Sequence, residues 1–478
     1  MEKKSTSKRA DREYIFHGIT LSLCPECHER IVSKIILQDG KVYLLKCCPV
    51  HGEMKCLLEE DANYYLSMPQ YNKPGTICKT QTQTLRGCPF DCGLCPDHEQ
   101  HSCINLIDVT NACNLSCPMC YASSGSGRFH SLEKIEEMMD FCKDSEYGHA
   151  EILQISGGEP TMHPDILTII EMAKKKNFKY VMLNTNGIRL AADEKFCESL
   201  GKLKGKFEVY LQFDGFKKET YETLRGRDLL EIKKKALQNL ARHEVPVTLV
   251  STIRLGVNDD EIGELIRFGL GTEYVRGINF QPIGYFGRLS KGKDDALHRV
   301  TLSGIVSRIE NQTKGLILKS DMVPLPCHPD RIALTYLYRD KRKRWMPITR
   351  KIDIRKYLSI ISNSIAFRLE DLSRKSLLGL WSASSVLSSF RSLRDFSCCI
   401  PIDVNLLSKA ERVTYVNENT FRISIVSFLD AYNFDVKSVK QECIHFITPD
   451  KKKIPFSTYN LLYRSKRNDL GFPANETH

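Results

Sequence analysis

No stretch of 18 or more apolar residues occurs in the 478-residue chain, so no membrane-spanning helix is expected. The opening Met1-Glu2-Lys3-Lys4-Ser5 is charged and leads into no apolar segment, so no secretory signal is expected either. No internal repeat or low-complexity segment stands out, which argues against a repetitive or fibrous chain. These absences predict a cytoplasmic protein, peripheral at a membrane at most, in a compartment that keeps thiols reduced. Nineteen cysteines there point to metal rather than to disulfides. The chain is 42% hydrophobic, enough for a sizeable core, and its length suits about three domains. The net charge of +11 favours an anionic partner or surface. Part of the excess sits in Arg339-Asp340-Lys341-Arg342-Lys343-Arg344-Trp345, with Arg350 and Lys351 close behind, and a solvated surface loop explains such a run equally well.

Three cysteine groups follow one another. Cys24-Pro25-Glu26-Cys27 precedes a β pattern from Ile31 to Leu45, and Cys47-Cys48-Pro49-Val50-His51 comes after it. Two thiolate-bearing turns joined by a hairpin resemble a rubredoxin or zinc ribbon that holds one iron or zinc. Cys48 repeats the Cys-Pro step of the first turn and is the favoured third ligand. The fourth is open among Cys47, His51, Cys56 and Cys78. Next, Cys88, Cys92 and Cys95 are spaced C-x3-C-x2-C, with Cys103 beyond them. Four thiolates close a cube, so this set suits an auxiliary [4Fe-4S] cluster, or lends a ligand to the first site. Finally Cys113, Cys117 and Cys120 repeat the C-x3-C-x2-C spacing and are followed by Tyr121. Three thiolates leave one iron of a [4Fe-4S] cube open, which a reactive centre needs and a structural one does not. The bland alternatives are a zinc knuckle and cysteines used as small core residues.

From 103 to 290 strand and helix patterns alternate. Strands are predicted at Ile104–Val109, Glu151–Ile155, Tyr180–Leu183, Phe207–Phe213, Val245–Ser251 and Val275–Gln281. Helices are predicted at Ser131–Asp144 and Pro164–Lys176, and Asn258-Asp259-Asp260-Glu261 reads as a further helix start. Six alternating units imply a parallel sheet with covering helices. The unusual loops fall at the C-terminal strand ends, where α/β barrels keep their chemistry. Gly157-Gly158-Glu159-Pro160 allows close backbone approach, and Glu159 offers an acceptor to an ammonium group. Asn184, Asn186 and Asp214 end later strands, and Gln212 and Gln281 are expected to point into the barrel mouth.

The three-cysteine loop, with Gly-Gly-Glu-Pro about 37 residues later after a strand, resembles the radical S-adenosylmethionine (SAM) superfamily. The resemblance implies a partial (βα)6 TIM-like barrel. It implies a cluster on Cys113, Cys117 and Cys120 that reductively cleaves SAM, and Gly157, Gly158 and Glu159 at the methionine end. Asn184, Asn186 and Asp214 would lie at the ribose, the carboxylate or the substrate. An electron donor of ferredoxin or flavodoxin type follows as a partner. The segment from Cys88 to Cys120, with Asp97-His98-Glu99-Gln100-His101-Ser102 and Asp108-Val109-Thr110, is similar to the tetraether lipid synthase group. Homologues there are also described as 7,8-dihydro-6-hydroxymethylpterin dimethyltransferases. Two departures stand out: Ser457, and His328-Pro329-Asp330-Arg331 after Cys327, replace cysteines of the group pattern. A C-terminal auxiliary cluster would then rest on Cys327 and Cys443, with Cys398 and Cys399 available.

The resulting expectation has a metal module at 1–75, an auxiliary cysteine segment at 76–102, a radical SAM core at 103–290 and a helix-rich C-terminal cap at 291–478. The expected activity is hydrogen abstraction from an unactivated carbon for coupling of membrane lipid chains. Leu358, Ile361, Ile365 and Leu369 would line an apolar tunnel, and the basic run would hold a headgroup. The alternatives are methylation of a reduced pterin, which needs a short polar, aromatic-lined pocket, and peptide modification. A non-catalytic zinc ribbon that binds nucleic acid would leave Gly-Gly-Glu-Pro unexplained, so no nucleic-acid partner is expected.

Overall fold

The computed structural model describes residues 12–76, 78–289, 296–340, 342–351, 353–358, 363 and 419–467. Lys341, Ile361, Ile365, Leu369, Cys398 and Cys399, and with them most of the proposed tunnel, lie outside the described residues.

The N-terminal part is an antiparallel sheet of β1 (Ile15–Leu23), β2 (Arg30–Gln38), β3 (Lys41–Cys48) and β4 (Gly52–Glu59), in that order. It packs on the rest of the chain through Ile35, Val42 and Leu44, which meet Ile283, Tyr285 and Tyr432. Thr20 Oγ1 donates to Asp435 Oδ1 at 2.6 Å, and the buried Lys46 donates to the carbonyls of Leu23 and Ala431 at 3.0 and 2.7 Å.

The second sheet has at its centre β5 (Ile104–Asp108), β6 (Ile152–Ser156), β7 (Tyr180–Thr185), β8 (Phe207–Gln212), β9 (Val247–Ile253) and β10 (Val275–Pro282). All six are parallel and lie in sequential order, each within a few residues of its expected range. The reason is local. Leu153, Ile155, Val181, Leu183, Val209 and Leu211 alternate onto the outer face and pack under helices. Those helices carry apolar residues at helical spacing: Ile135, Met138, Met139 and Cys142 on Leu132–Ser145, and Ile166, Ile169, Ile170 and Ala173 on Ile166–Lys175. The inner face carries Ile104, Leu106, Ile152, Met182, Tyr210 and Val250.

The C-terminal region extends this sheet at both edges. β11 (Val323–Pro324), β12 (Ile332–Arg339), β13 (Trp345–Pro347) and β14 (Thr420–Val426) lie beyond β10, with β14 parallel to it. On the other side β15 (Ile444–Ile447) runs parallel to β5, and β16 (Lys453–Pro455) turns back on it. Among the described residues the sheet does not close, and the barrel is partial as expected. The described part of the C-terminal region mixes these strands with helices, Leu302–Gln312 and Val436–Lys440 among them. A helical turn from Phe456 to Arg467 follows β16.

One helix start differs. The helix begins at Ile262, not after Asn258. Asn258 instead donates to the carbonyls of Asp214 and Thr252 at 2.8 and 2.9 Å, and Glu261 accepts from Phe216 N and Thr220 Oγ1. The tertiary partners on the β8 loop outweigh a local cap.

Candidate active site and metal centres

Cys113, Cys117 and Cys120 lie in the loop that follows β5. The loop is tied down at its backbone. Cys113 N donates to Gly125 O at 2.8 Å, and Arg288 reaches the carbonyls of Cys120 and Cys117 at 3.1 and 2.9 Å. Burial pushes the Cys113 thiol up to about 11 and raises that of Cys117, which the Arg225 guanidinium opposes. Among the described residues two donor sets converge to within 4.8 Å of one another, and this trio is not one of them. The loop supplies three thiols, the number that would leave one iron of a cube open.

Gly157 and Gly158 carry the next loop against this one. A Cβ on Gly157 would lie 2.2 Å from Thr110 O, and one on Gly158 2.2 Å from Ala112 O. Gly158 N and Glu159 N donate to those same carbonyls at 2.8 Å. The close approach foreseen for these glycines is therefore to the cluster loop itself.

Glu159 is 1% exposed and turned inward. Its Oε1 accepts from Thr161 N, Thr161 Oγ1 and Thr185 Oγ1 at 3.1, 2.6 and 2.6 Å, and Oε2 accepts from Asn186 N at 2.7 Å. These bonds brace the β6 and β7 loops against each other. Asn186 carries that brace onward, donating to Asn114 Oδ1 in the cluster loop at 2.7 Å. Asp214 is also enclosed, paired at 2.7 Å through both oxygens with Arg225. Asn184 remains half-buried on the rim, its Nδ2 3.5 Å from Ser156 Oγ.

Arg225 and Lys233 were not singled out from the sequence. Lys233 is fully buried, donates to Asn186 O at 2.5 Å and is pulled down by burial to about 8. Together they place two cationic side chains near the Cys117 thiol of the cluster loop. Both lie on helices with ordinary charged faces, so no local signal marks them.

The inner face at the C-terminal strand ends is polar. Asp108, Ser156, Asn184, Gln212, Thr252 and Gln281 contribute one residue each from β5 to β10, alternating with the outward-packed residues. Asp108 Oδ2 accepts from Arg464 Nη1 at 2.9 Å, while its Oδ1 has no hydrogen-bond partner. The Arg464 guanidinium lies 4.8, 4.7 and 5.5 Å from the rings of Phe446, Tyr459 and Tyr121. Beside them is a cleft open to solvent, touched by Asp108, Thr110, Gly157, Gly158, Tyr459 and Arg464.

The N-terminal site is resolved in favour of His51. Cys24, Cys27, Cys48 and His51 form one convergent set, with His51 Nδ1 3.5 Å from the sulfurs of Cys24 and Cys48. The backbone N–H groups of His51 and Val50 draw the Cys48 thiol down to about 6. Cys47 is exposed, Cys56 packs in the core with Leu44, and Cys78 donates to Glu146 Oε2.

The set Cys88, Cys92, Cys95 and Cys103 does not stay together. The first three line a cavity with His98, Asp97 and Lys440. Cys103 joins Cys327 and Cys443 in the second convergent set. The reason is register: Cys103 precedes β5, Cys443 precedes β15, and the two strands pair side by side.

Comparison with known proteins agrees with this arrangement. Residues 107–269 match the model of the radical SAM superfamily, and residues 16–60 match the N-terminal zinc ribbon domain of HMPTM. The 7,8-dihydro-6-hydroxymethylpterin dimethyltransferase of Methanocaldococcus jannaschii is 36% identical over 94% of this chain and 94% of its own length. A GTP 3′,8-cyclase of Clostridium botulinum is 27% identical over 50% of this chain and 70% of its own. Among solved structures, Streptococcus suis SuiB bound to S-adenosylmethionine aligns over 46% of this chain and 48% of its own, at 16% identity and a TM-score of 0.38. A radical SAM methyltransferase from Sphaerobacter thermophilus aligns over 63% and 74%, at 12% identity and a TM-score of 0.32. A cluster loop on a partial barrel, a zinc ribbon ahead of it and 36% identity along nearly the whole chain place this protein in the radical SAM superfamily, in the family of the 7,8-dihydro-6-hydroxymethylpterin dimethyltransferase.

Proposed function

We propose that the chain is a radical SAM methyltransferase acting on a reduced pterin. The observation that carries this reading is the polar ring of the barrel mouth. Carboxamides at Asn184, Gln212 and Gln281 present donor and acceptor in one plane, as the edge of a 2-amino-4-oxo heterocycle requires. The free Oδ1 of Asp108 suits the adjacent N–H groups of such a ring. Tyr121 packs on Phe456 at 5.4 Å, giving an aromatic wall beside them. A buried hydrocarbon chain would leave this ring unpaired, at a cost of roughly 1–3 kcal/mol per group. Lipid coupling, the first expectation from the sequence, finds no support among the described residues. The basic run is the turn between β12 and β13, where Arg344 pairs with Asp340 at 2.8 Å. No helix among the described residues is long and apolar enough to cross a membrane.

When bound, the open cluster and SAM supply an electron and the 5′-deoxyadenosyl radical that removes a substrate hydrogen. The residues of the chain orient and enclose. Cys113, Cys117 and Cys120 would hold the cluster, and Gly157 and Gly158 let the next loop close on it. Glu159 and Asn186 fix the spacing of the two loops, and Arg464 closes the mouth from the C-terminal side. As a radical SAM enzyme the chain also needs an electron donor.

Anaerobic, iron-loaded protein with reductant, SAM and 7,8-dihydro-6-hydroxymethylpterin should yield a methylated pterin and release 5′-deoxyadenosine. Methyl-labelled SAM shows whether that methyl comes from SAM. Consumption of a membrane lipid with none of the pterin would overturn the reading.

A further inference from the structure

Cys103, Cys327 and Cys443 are all fully buried, and their sulfurs lie within 4.8 Å of one another, with Cys327 and Cys443 at 3.5 Å. Metal–sulfur bonds of ~2.3 Å in a tetrahedron set neighbouring sulfurs ~3.8 Å apart, so the spacing is that of ligands on one ion. A cube would spread its thiolates over several irons. Backbone contacts hold the three segments together before any ion arrives. Cys103 N donates to Cys443 O at 2.8 Å, and Gln100 Nε2 donates to Cys327 O at 2.9 Å.

A histidine lies beside the set on the same segment. His101 Nε2 is 3.8 Å from Cys103 Sγ, and its Nδ1 is engaged at 2.8 Å by Thr76 Oγ1. It does not converge with all three sulfurs, so the donors that meet are the three thiols. The two positions where the group pattern carries further cysteines are committed elsewhere. His328 Nε2 and Arg331 Nε both meet Ser438 Oγ at 3.1 Å, and Ser457 Oγ accepts from Leu429 N.

We infer that Cys103, Cys327 and Cys443 form a three-thiolate site for a single divalent thiophilic ion, zinc or ferrous iron. Its place in the fold assigns its role. Cys103 and Cys443 precede the paired strands β5 and β15, at the N-terminal end of the barrel. The cluster loop leaves the opposite end of β5, about 16 Å away along a five-residue strand. A fully buried thiolate site on the face of a barrel that carries stability rather than chemistry is structural. It joins the C-terminal extension to the first strand of the core.

The test uses full-length protein prepared anaerobically. Substituting Cys327→Ser and Cys443→Ser together should remove one mononuclear ion per chain. Cluster iron, acid-labile sulfide and the N-terminal ion should be unchanged. With Cys24→Ser and Cys27→Ser silencing the ribbon, cobalt(II) should bind once and show thiolate charge-transfer and tetrahedral d–d bands. Loss of about four irons with sulfide from the Cys327/Cys443 variant would mean a cube and overturn the inference. Unchanged metal content, or a Cys327–Cys443 disulfide in the native protein, would also overturn it. If that variant does not fold, anomalous scattering from wild-type crystals at the zinc and iron edges decides. A single-ion peak among the three sulfurs supports the site and identifies the metal, whereas a multi-iron peak or none refutes it.

Discussion

Two carboxylates expected at the ligand also hold the architecture around them. Asp214 is completely enclosed and its charge is met by Arg225, itself 8% exposed. Removing one partner of such a pair leaves a buried charge uncompensated, at a cost of about 3–5 kcal/mol. Arg225→Met should therefore lower stability in denaturant titrations by that order. Adding Asp214→Leu should recover most of the loss, and a double variant no better than the single one would show that Arg225 acts otherwise. Glu159→Ala should act in the same way, stranding the hydroxyls of Thr161 and Thr185 and the N–H of Asn186. We expect a loss of about 2–4 kcal/mol and poor iron retention, because Asn186 also supports Asn114 in the cluster loop. Weakened SAM affinity at full iron content and unchanged stability would instead return Glu159 to direct ligand contact.

At the scale of elements, the loop after β6 is pinned to the loop after β5 by paired hydrogen bonds with no room between them. Gly158→Ala puts a methyl group 2.2 Å from Ala112 O, which is backbone and cannot step aside. The expected result is loss of 5′-deoxyadenosine formation with the ribbon ion retained. β15 serves the other flank, since Phe446 stacks on Phe456 at 5.3 Å and lies under Arg464. Phe446→Ala should cost about 3–5 kcal/mol. It should also raise KM for the pterin more than it lowers kcat, if Arg464 then loses its place over Asp108. A pure kcat effect with unchanged KM would argue against that position for Arg464.

Across the whole molecule, the ribbon is a separate metal unit fastened to the C-terminal region. Thr20, Ser22 and Lys46 all bond to residues 431–435. His51→Ala should reduce bound zinc by one ion without touching cluster iron, because the two sites share no ligand. Calorimetry should then show an early transition for the ribbon ahead of the barrel. Simultaneous loss of cluster iron would mean that ribbon and barrel fold as one unit. The Arg299–Asp430 pair, 3% and 0% exposed, lies in this junction and is the contact through which such coupling would pass.

The sequence by itself determined the parts that depend on neighbours along the chain. Alternation of apolar residues marked the six parallel strands, and the helical spacing of Ile166, Ile169, Ile170 and Ala173 marked a covering helix. Short cysteine spacings marked the cluster loop and the first three ribbon ligands, since a C-x2-C turn must aim its sulfurs at one place. Only the tertiary structure decided which distant groups meet. His51 was one of four possible fourth ligands until β3 and β4 paired around it. Cys103 looked like the end of the Cys88 set by spacing, but the pairing of β5 with β15, some 340 residues apart in the chain, carried it to Cys443. Asp214 and Glu159 have the same local appearance as ligand-binding residues. Their partners Arg225 and Thr185 are brought to them by packing, and the bracing bonds exist only in the folded chain. The polar ring is intermediate: each of its residues is one position in an alternating strand, but its meaning as a single recognition surface exists only once six strands stand side by side.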